Sequence, residues 1–112
     1  MELPTFLTNL PGIDLPFPPD AVRTSAIKSD KGLMVIFEVM QDFDLPPHSH
    51  LGQWGTVLAG EFELTIGDET KIYSPGMSYS IPAGVVHSGK LKAGVKVIDI
   101  FEEPDRYSLT KS

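Results

Sequence analysis

The chain has 112 residues, with nine Lys or Arg against fifteen Asp or Glu and a formal net charge of −6. That length suits one domain with a real core, and the lack of cysteine excludes disulfide and thiolate chemistry. The acidic balance and scattered basic residues exclude a nucleic-acid partner, and no apolar run is long enough to span a membrane.

The N-terminus, MELPTFLTNLPGIDLPF, has no basic segment and is broken by prolines, so it is not read as a signal peptide. A cytoplasmic location is expected. Residues 1–20 hold five of the ten prolines, which rules out a central strand or a long helix there. The same stretch carries Leu3, Phe6, Leu7, Leu10, Ile13, Leu15 and Phe17. An extended arm over 1–25, laid across its own barrel or a partner subunit, fits that mixture. Residues 26–112 are assigned to a single barrel with a short C-terminal tail.

Short apolar strands separated by turn signals follow. LMVIFEVM (33–40) and QWGTVLA (53–59) are dense in strand formers. EFELTI (61–66) alternates, with Phe62, Leu64 and Ile66 on one face, and Gly67-Asp68 reads as a tight hairpin into ETKIY (69–73). MSYSI (77–81), VVHSGKL (85–91) and VKVIDIF (95–101) complete the series. No stretch sustains a 3.6-residue apolar period. Many short, regularly spaced strands predict an all-β sandwich or barrel.

Two of the three histidines, His48 and His50, lie one residue apart, and residues i and i+2 of a strand face the same way. His87 follows His50 by 37 residues across four strand-like segments. In a closed antiparallel barrel those strands become neighbours, and three imidazoles with an oxygen donor can converge on one divalent ion. Ordinary surface histidines are the competing reading.

The framework around them resembles the cupin family. HSHLGQWGTVLAG is similar to its first signature, G(x)5HxH(x)3-4E(x)6G, with Gln53 at the carboxylate position seven residues before Gly60. GMSYSIPAGVVH fits the second signature, G(x)5PxG(x)2H, at Gly76, Pro82, Gly84 and His87. Three departures stand out: Gln replaces Glu, only Leu51 and Gly52 separate His50 from Gln53, and Asp42 stands where the first signature has Gly. The resemblance implies an antiparallel double-stranded β-helix, or jelly-roll barrel, and metal ligands at His48, His50, Gln53 and His87. The metal would be Zn, Ni, Fe or Mn. A neutral Gln donor would leave more positive charge on the ion and favour an anionic ligand.

In VIDIFEEPDRY (97–107), Val97, Asp99 and Phe101 share a face. Asp99 either points inward as a general acid or base, or faces water and pairs with Lys96 or Arg106. The stretch is similar to the ending of small cupins that linearise unsaturated uronates. That resemblance implies Asp99 as the catalytic group, with Phe101 and Arg106 against the substrate; Arg106 is displaced by about one residue. Strict alternation turns Trp54 away from the metal and Gly55 inward, where Gly55 would leave space. Tyr79 alternates with Met77 and Ile81, is expected at the mouth of the pocket, and needs a hydroxyl partner if buried. Glu38, with Ile36 and Met40, faces either a dimer surface or the pocket.

The function expected from this set is metal-dependent isomerisation or ring-opening of a sugar acid, or oxygenation if the metal is Fe(II). The alternative is a non-catalytic metabolite-binding or sensor cupin. The apolar arm and outward Met and Ile residues predict a homodimer.

Overall fold

The computed structural model describes residues 1–110, so the last two residues of the assigned tail lie outside it. Nine strands follow a one-turn helix: α1 (Thr5–Thr8), β1 (Val22–Ser29), β2 (Gly32–Val39), β3 (Phe43–His48), β4 (Gln53–Ala59), β5 (Phe62–Ile66), β6 (Glu69–Tyr73), β7 (Ser78–Ile81), β8 (His87–Leu91) and β9 (Lys96–Phe101). They form two antiparallel sheets, ordered β1-β2-β9-β4-β7 and β3-β8-β5-β6. Strands distant in sequence thus lie side by side, and the fold is an all-β jelly-roll barrel.

Two strands were not legible as such. β3 contains Pro46 and Pro47, which cannot donate to a ladder. It is tolerated because it is an edge strand, and because its pairing with β8 is irregular between Leu45 and His48, where the prolines sit. β1 begins at Val22, inside the stretch assigned to the arm. Its outward positions are polar or exposed, so its alternation is weak.

Turns match the strands they join. Gly67, with φ +63°, opens the two-residue turn between Ile66 and Glu69 as the first position of a type II′ hairpin. Gly84, with φ +81°, donates its N–H to the His50 carbonyl, so the bend after Pro82 is tied to the histidine loop.

Between the sheets lie two packed groups. One gathers Val39, Val57, Phe62, Leu64, Tyr73, Tyr79, Ile81, Val95 and Val97; the other gathers Ile13, Ala26, Leu33, Val35 and Phe101. Leu33 and Val35 are fully buried, each contributing on the order of 2 kcal/mol. Ile13 brings the arm into this core: the Ala26 N–H donates to the Pro11 carbonyl, and Ile13 bridges to Leu109. The arm therefore seals the free edge of β1.

Candidate metal centre and its cavity

His48 and His87 face each other directly across the β3–β8 ladder. His50 lies two residues past the end of β3. The three ring centroids are 5.3, 4.2 and 4.8 Å apart, and one nitrogen from each ring lies within 4.8 Å of the others. The cluster fits a metal site.

The outer hydrogen bonds of the rings decide their protonation. Nδ1 of His48 meets the Pro46 carbonyl at 2.8 Å, Nδ1 of His50 the Leu51 carbonyl at 2.6 Å, and Nδ1 of His87 the Val85 carbonyl at 3.1 Å. A carbonyl only accepts, so each Nδ1 carries the proton and each neutral ring offers a bare Nε2. His87 Nε2 is buried with no partner among the described residues. The orphaned buried lone pair of His87 is what a metal ion satisfies, and carbonyl-anchored imidazoles are the usual outer support of such a site. Burial also lowers the pKa of His50, and it takes His87 down to about 4, with the neighbouring histidines and the Arg106 charge acting in the same sense.

The short loop before β4 is held from the far end of β9. The N–H groups of Leu51 and Gly52 donate to the Glu103 and Glu102 carboxylates at 2.8 Å each, and the Glu102 N–H returns to the Gly52 carbonyl. Glu102 and Glu103 thus fasten the loop between His50 and Gln53.

Asp99 points inward and is buried, 5 % exposed. The Tyr79 hydroxyl donates to Asp99 Oδ1 at 2.6 Å. Pairing of Asp99 with Lys96 or Arg106 is excluded by this orientation. Desolvation raises its pKa to about 6, against the opposing pull of Tyr79 and the Gln53 amide. Asp99, Gly55 and Tyr79 lie in one cross-strand row over β9, β4 and β7. The expectation of open space at Gly55 is therefore corrected: the tyrosine–aspartate pair fills it, and a Cβ there would overlap both partners.

His48, His50, His87, Gln53, Asp99, Phe101 and the Tyr79 ring all line one cavity of about 80 Å³ between the sheets. Phe101 also packs edge-on to His50, with centroids 5.7 Å apart. Two sequence expectations shift. Tyr79 turns its hydroxyl to Asp99, because a buried phenol needs an acceptor. Arg106 does not line the cavity; its guanidinium lies 4.6 Å from the Tyr107 ring centroid, with Nε buried and without a partner among the described residues. Tyr107, in the cavity wall, was missed, as were Leu15 and Phe17 of the arm. No local pattern marks them, since they reach the cavity only when the two chain ends meet. Trp54 faces outward and is 44 % exposed. Glu38 lies off the cavity, lining a groove between the arm and β1.

The opposed shifts of Asp99 and His87 give a prediction for the metal-free protein. Asp99 has a raised folded pKa, so it adds stability as pH falls from above 6 toward its unfolded value near 3.8. His87 and His50 have lowered folded pKa values, so they remove stability as pH falls below 6.5. The two trends oppose each other between about pH 6.5 and 4. Asp99→Asn leaves only the histidine trend, and its urea midpoint should fall with acidification more steeply than the wild type's. Parallel curves would refute the assigned shifts.

Known proteins share this fold. The family described as the cupin domain matches residues 33–101. Similar solved structures include KdgF from Halomonas sp., 24% identical over 84% of this chain and 86% of that one, with a TM-score of 0.71. An RmlC-like cupin from Shewanella frigidimarina is 21% identical over 86% of each chain, with a TM-score of 0.72. Oxalate decarboxylase from Bacillus subtilis is 17% identical, and the match covers 88% of this chain but 29% of that one, with a TM-score of 0.70. No curated protein matched the sequence. At these identities the structural likeness speaks to the fold, whereas the family match spans most of the chain from β2 through β9: the chain belongs to the cupin family.

Proposed function

We propose that the protein is a metal-dependent cupin enzyme acting on a small, anionic, oxygen-bearing metabolite. The ligands are His48, His50, His87 and the side-chain oxygen of Gln53, and Asp99 is the proton-moving group. The observation that carries this reading is the convergence of three histidine rings, one nitrogen from each within 4.8 Å of the others, beside a buried carboxyl on one cavity. A divalent Zn, Ni, Fe or Mn ion bound there supplies Lewis-acid polarisation of a substrate oxygen.

The chain's own residues do the rest. Tyr79 holds Asp99 Oδ1, so the carboxyl keeps one orientation toward the cavity. Burial raises the Asp99 pKa above the usual carboxylate range, which disposes the carboxyl to take up a proton as well as return it. Phe101 walls the site beside His50, and the Arg106 cation, close enough to act on His50 and His87, favours an anionic substrate. A fold neighbour, the Bacillus subtilis oxalate decarboxylase, has Mn(II) centres and is named for a small dianion, which supports this metal and substrate class. The uronate-linearising resemblance of residues 97–107 supports isomerisation or ring-opening; Fe(II) in the site would instead make the protein an O2-dependent oxygenase.

Asp99→Asn is expected to lower turnover by roughly 10²-fold or more while the metal content is unchanged. Full turnover in that variant would remove Asp99 from the chemistry. Ligand binding without turnover, with each of the four metals in turn, would favour the non-catalytic sensor.

The protein is also proposed to be a homodimer. Ile27, Met34, Ile100 and Trp54 form one cross-strand row on the outer face of the larger sheet. Ile27, Ile100 and Trp54 are 52%, 45% and 44% exposed. An apolar row of that width calls for cover, and a second copy offers an identical row. Light scattering at micromolar concentration should return the dimer mass, and Trp54→Lys together with Ile100→Lys should return the monomer. A wild-type monomer refutes the dimer.

A further inference from the structure

The substrate class can be narrowed beyond the proposed function, on which this step rests. The cavity is divided in two. Its polar side chains are the three histidines, Gln53 and Asp99, with the hydroxyls of Tyr79 and Tyr107; every other lining side chain is hydrocarbon. The Tyr79 hydroxyl is already committed to Asp99. Away from the histidines the wall is made by Phe37, Phe43, Leu45 and Leu91, roofed by Leu15 and Phe17 of the arm. All six are only half-buried although they face inward. Phe37, Phe43 and Leu91 pack on the core by one side and border the cavity by the other. The Phe17 and Phe43 rings meet at 5.3 Å, which fixes the arm as part of that wall.

A ligand hydroxylated on every carbon would fit this wall badly. Each hydroxyl laid against Phe37, Phe43, Leu45 or Leu91 would lose water without gaining a partner, because those side chains neither donate nor accept. A hydrocarbon body gains there instead, by the ordinary transfer free energy of each methylene. We infer that the ligand carries an oxyanion head toward the histidines and an apolar body, a short alkyl chain or one ring, against the Phe37–Phe43–Leu45 wall. That class is a carboxylate or keto acid with a hydrocarbon tail, in place of a polyhydroxylated sugar acid.

Calorimetric titration with butanoate, hexanoate and gluconate tests this, on Zn-loaded and metal-free protein whose zinc content is measured in the same samples. Two methylenes more should tighten hexanoate over butanoate by about tenfold. Gluconate, with the same six carbons, should bind at least about tenfold more weakly than hexanoate. Leu45→Gln, on the edge strand β3, should erase the difference between hexanoate and butanoate without changing the zinc content. Gluconate binding as tightly as hexanoate, no gain with chain length, or no binding of any of the three acids would overturn the inference. Because the comparison among acids is made with and without zinc, it stands or falls apart from the metal reading, which the zinc content judges alone.

Discussion

Protein purified without an affinity tag should contain on the order of one divalent transition ion per chain, and the double substitution His48→Ala/His87→Ala should contain none. These two rings face each other across one ladder, and each offers a nitrogen within 4.8 Å of the other ligand nitrogens. Loss of an outer hydrogen-bond partner alone costs about 10- to 100-fold in metal affinity, so loss of two direct ligands must cost more. A second readout follows from linkage. An ion that binds the folded chain at 100 times its dissociation constant adds about 2.7 kcal/mol. The wild type should therefore melt higher when Zn, Ni or Mn is added, and the double variant should not. Its own folding is the control: His48 lies on an edge strand and is half-buried, and the buried His87 bonds only the nearby Val85 carbonyl, so the metal-free variant should retain a cooperative transition. Equal metal content in both proteins would sink the histidine site.

Gly55→Ala should be the most damaging single methyl addition in the barrel. Gly55 lies on β4 between β9 and β7, and the Tyr79–Asp99 hydrogen bond passes directly above it. A Cβ would overlap the Asp99 carboxyl and the end of the Tyr79 ring together. Neither can retreat, since Tyr79 is packed edge-on against Phe62 and Tyr73 at 5.7 and 5.4 Å. Overpacking of a closed core costs roughly 1–3 kcal/mol, and the broken bond to a buried carboxyl adds its own unsatisfied-group penalty. The expected loss is about 3 kcal/mol or more, a fall in melting temperature of at least roughly 10 °C. Tyr79→Phe separates the two contributions, because it removes the bond and keeps the packing. If Gly55→Ala melts within about two degrees of the wild type, the tyrosine and aspartate are not locked across that position.

The sequence by itself determined the class of fold, most of the strand positions and the identity of the histidine set. The reason is local. Alternation with a period of two, punctuated by Gly-Asp and Pro-x-Gly turns, is written in consecutive residues, and so is the spacing of His48 and His50, although His50 lies past the end of β3 and is placed by the loop. β4 and β6 fall where the pattern put them, at 53–59 and 69–73. The failures were local too: Pro46 and Pro47 hid β3, whose place at a sheet edge only the assembled barrel reveals.

Orientation and partnership were decided by the tertiary structure. Asp99 sits in an apolar strand, and its sequence left inward and outward readings equal; the β4–β9–β7 register put Tyr79 beside it and closed the question. Glu102 and Glu103 carry no signal in the sequence, yet through space they clamp the loop after His50. Leu15, Phe17 and Tyr107 entered the cavity wall only once the two ends of the chain met beside the barrel. Contacts of that kind join residues tens of positions apart, and their side chains carry no periodic signal. The polarity of the cavity, and with it the chemistry of what it holds, is set by which distant faces the fold turns toward one another.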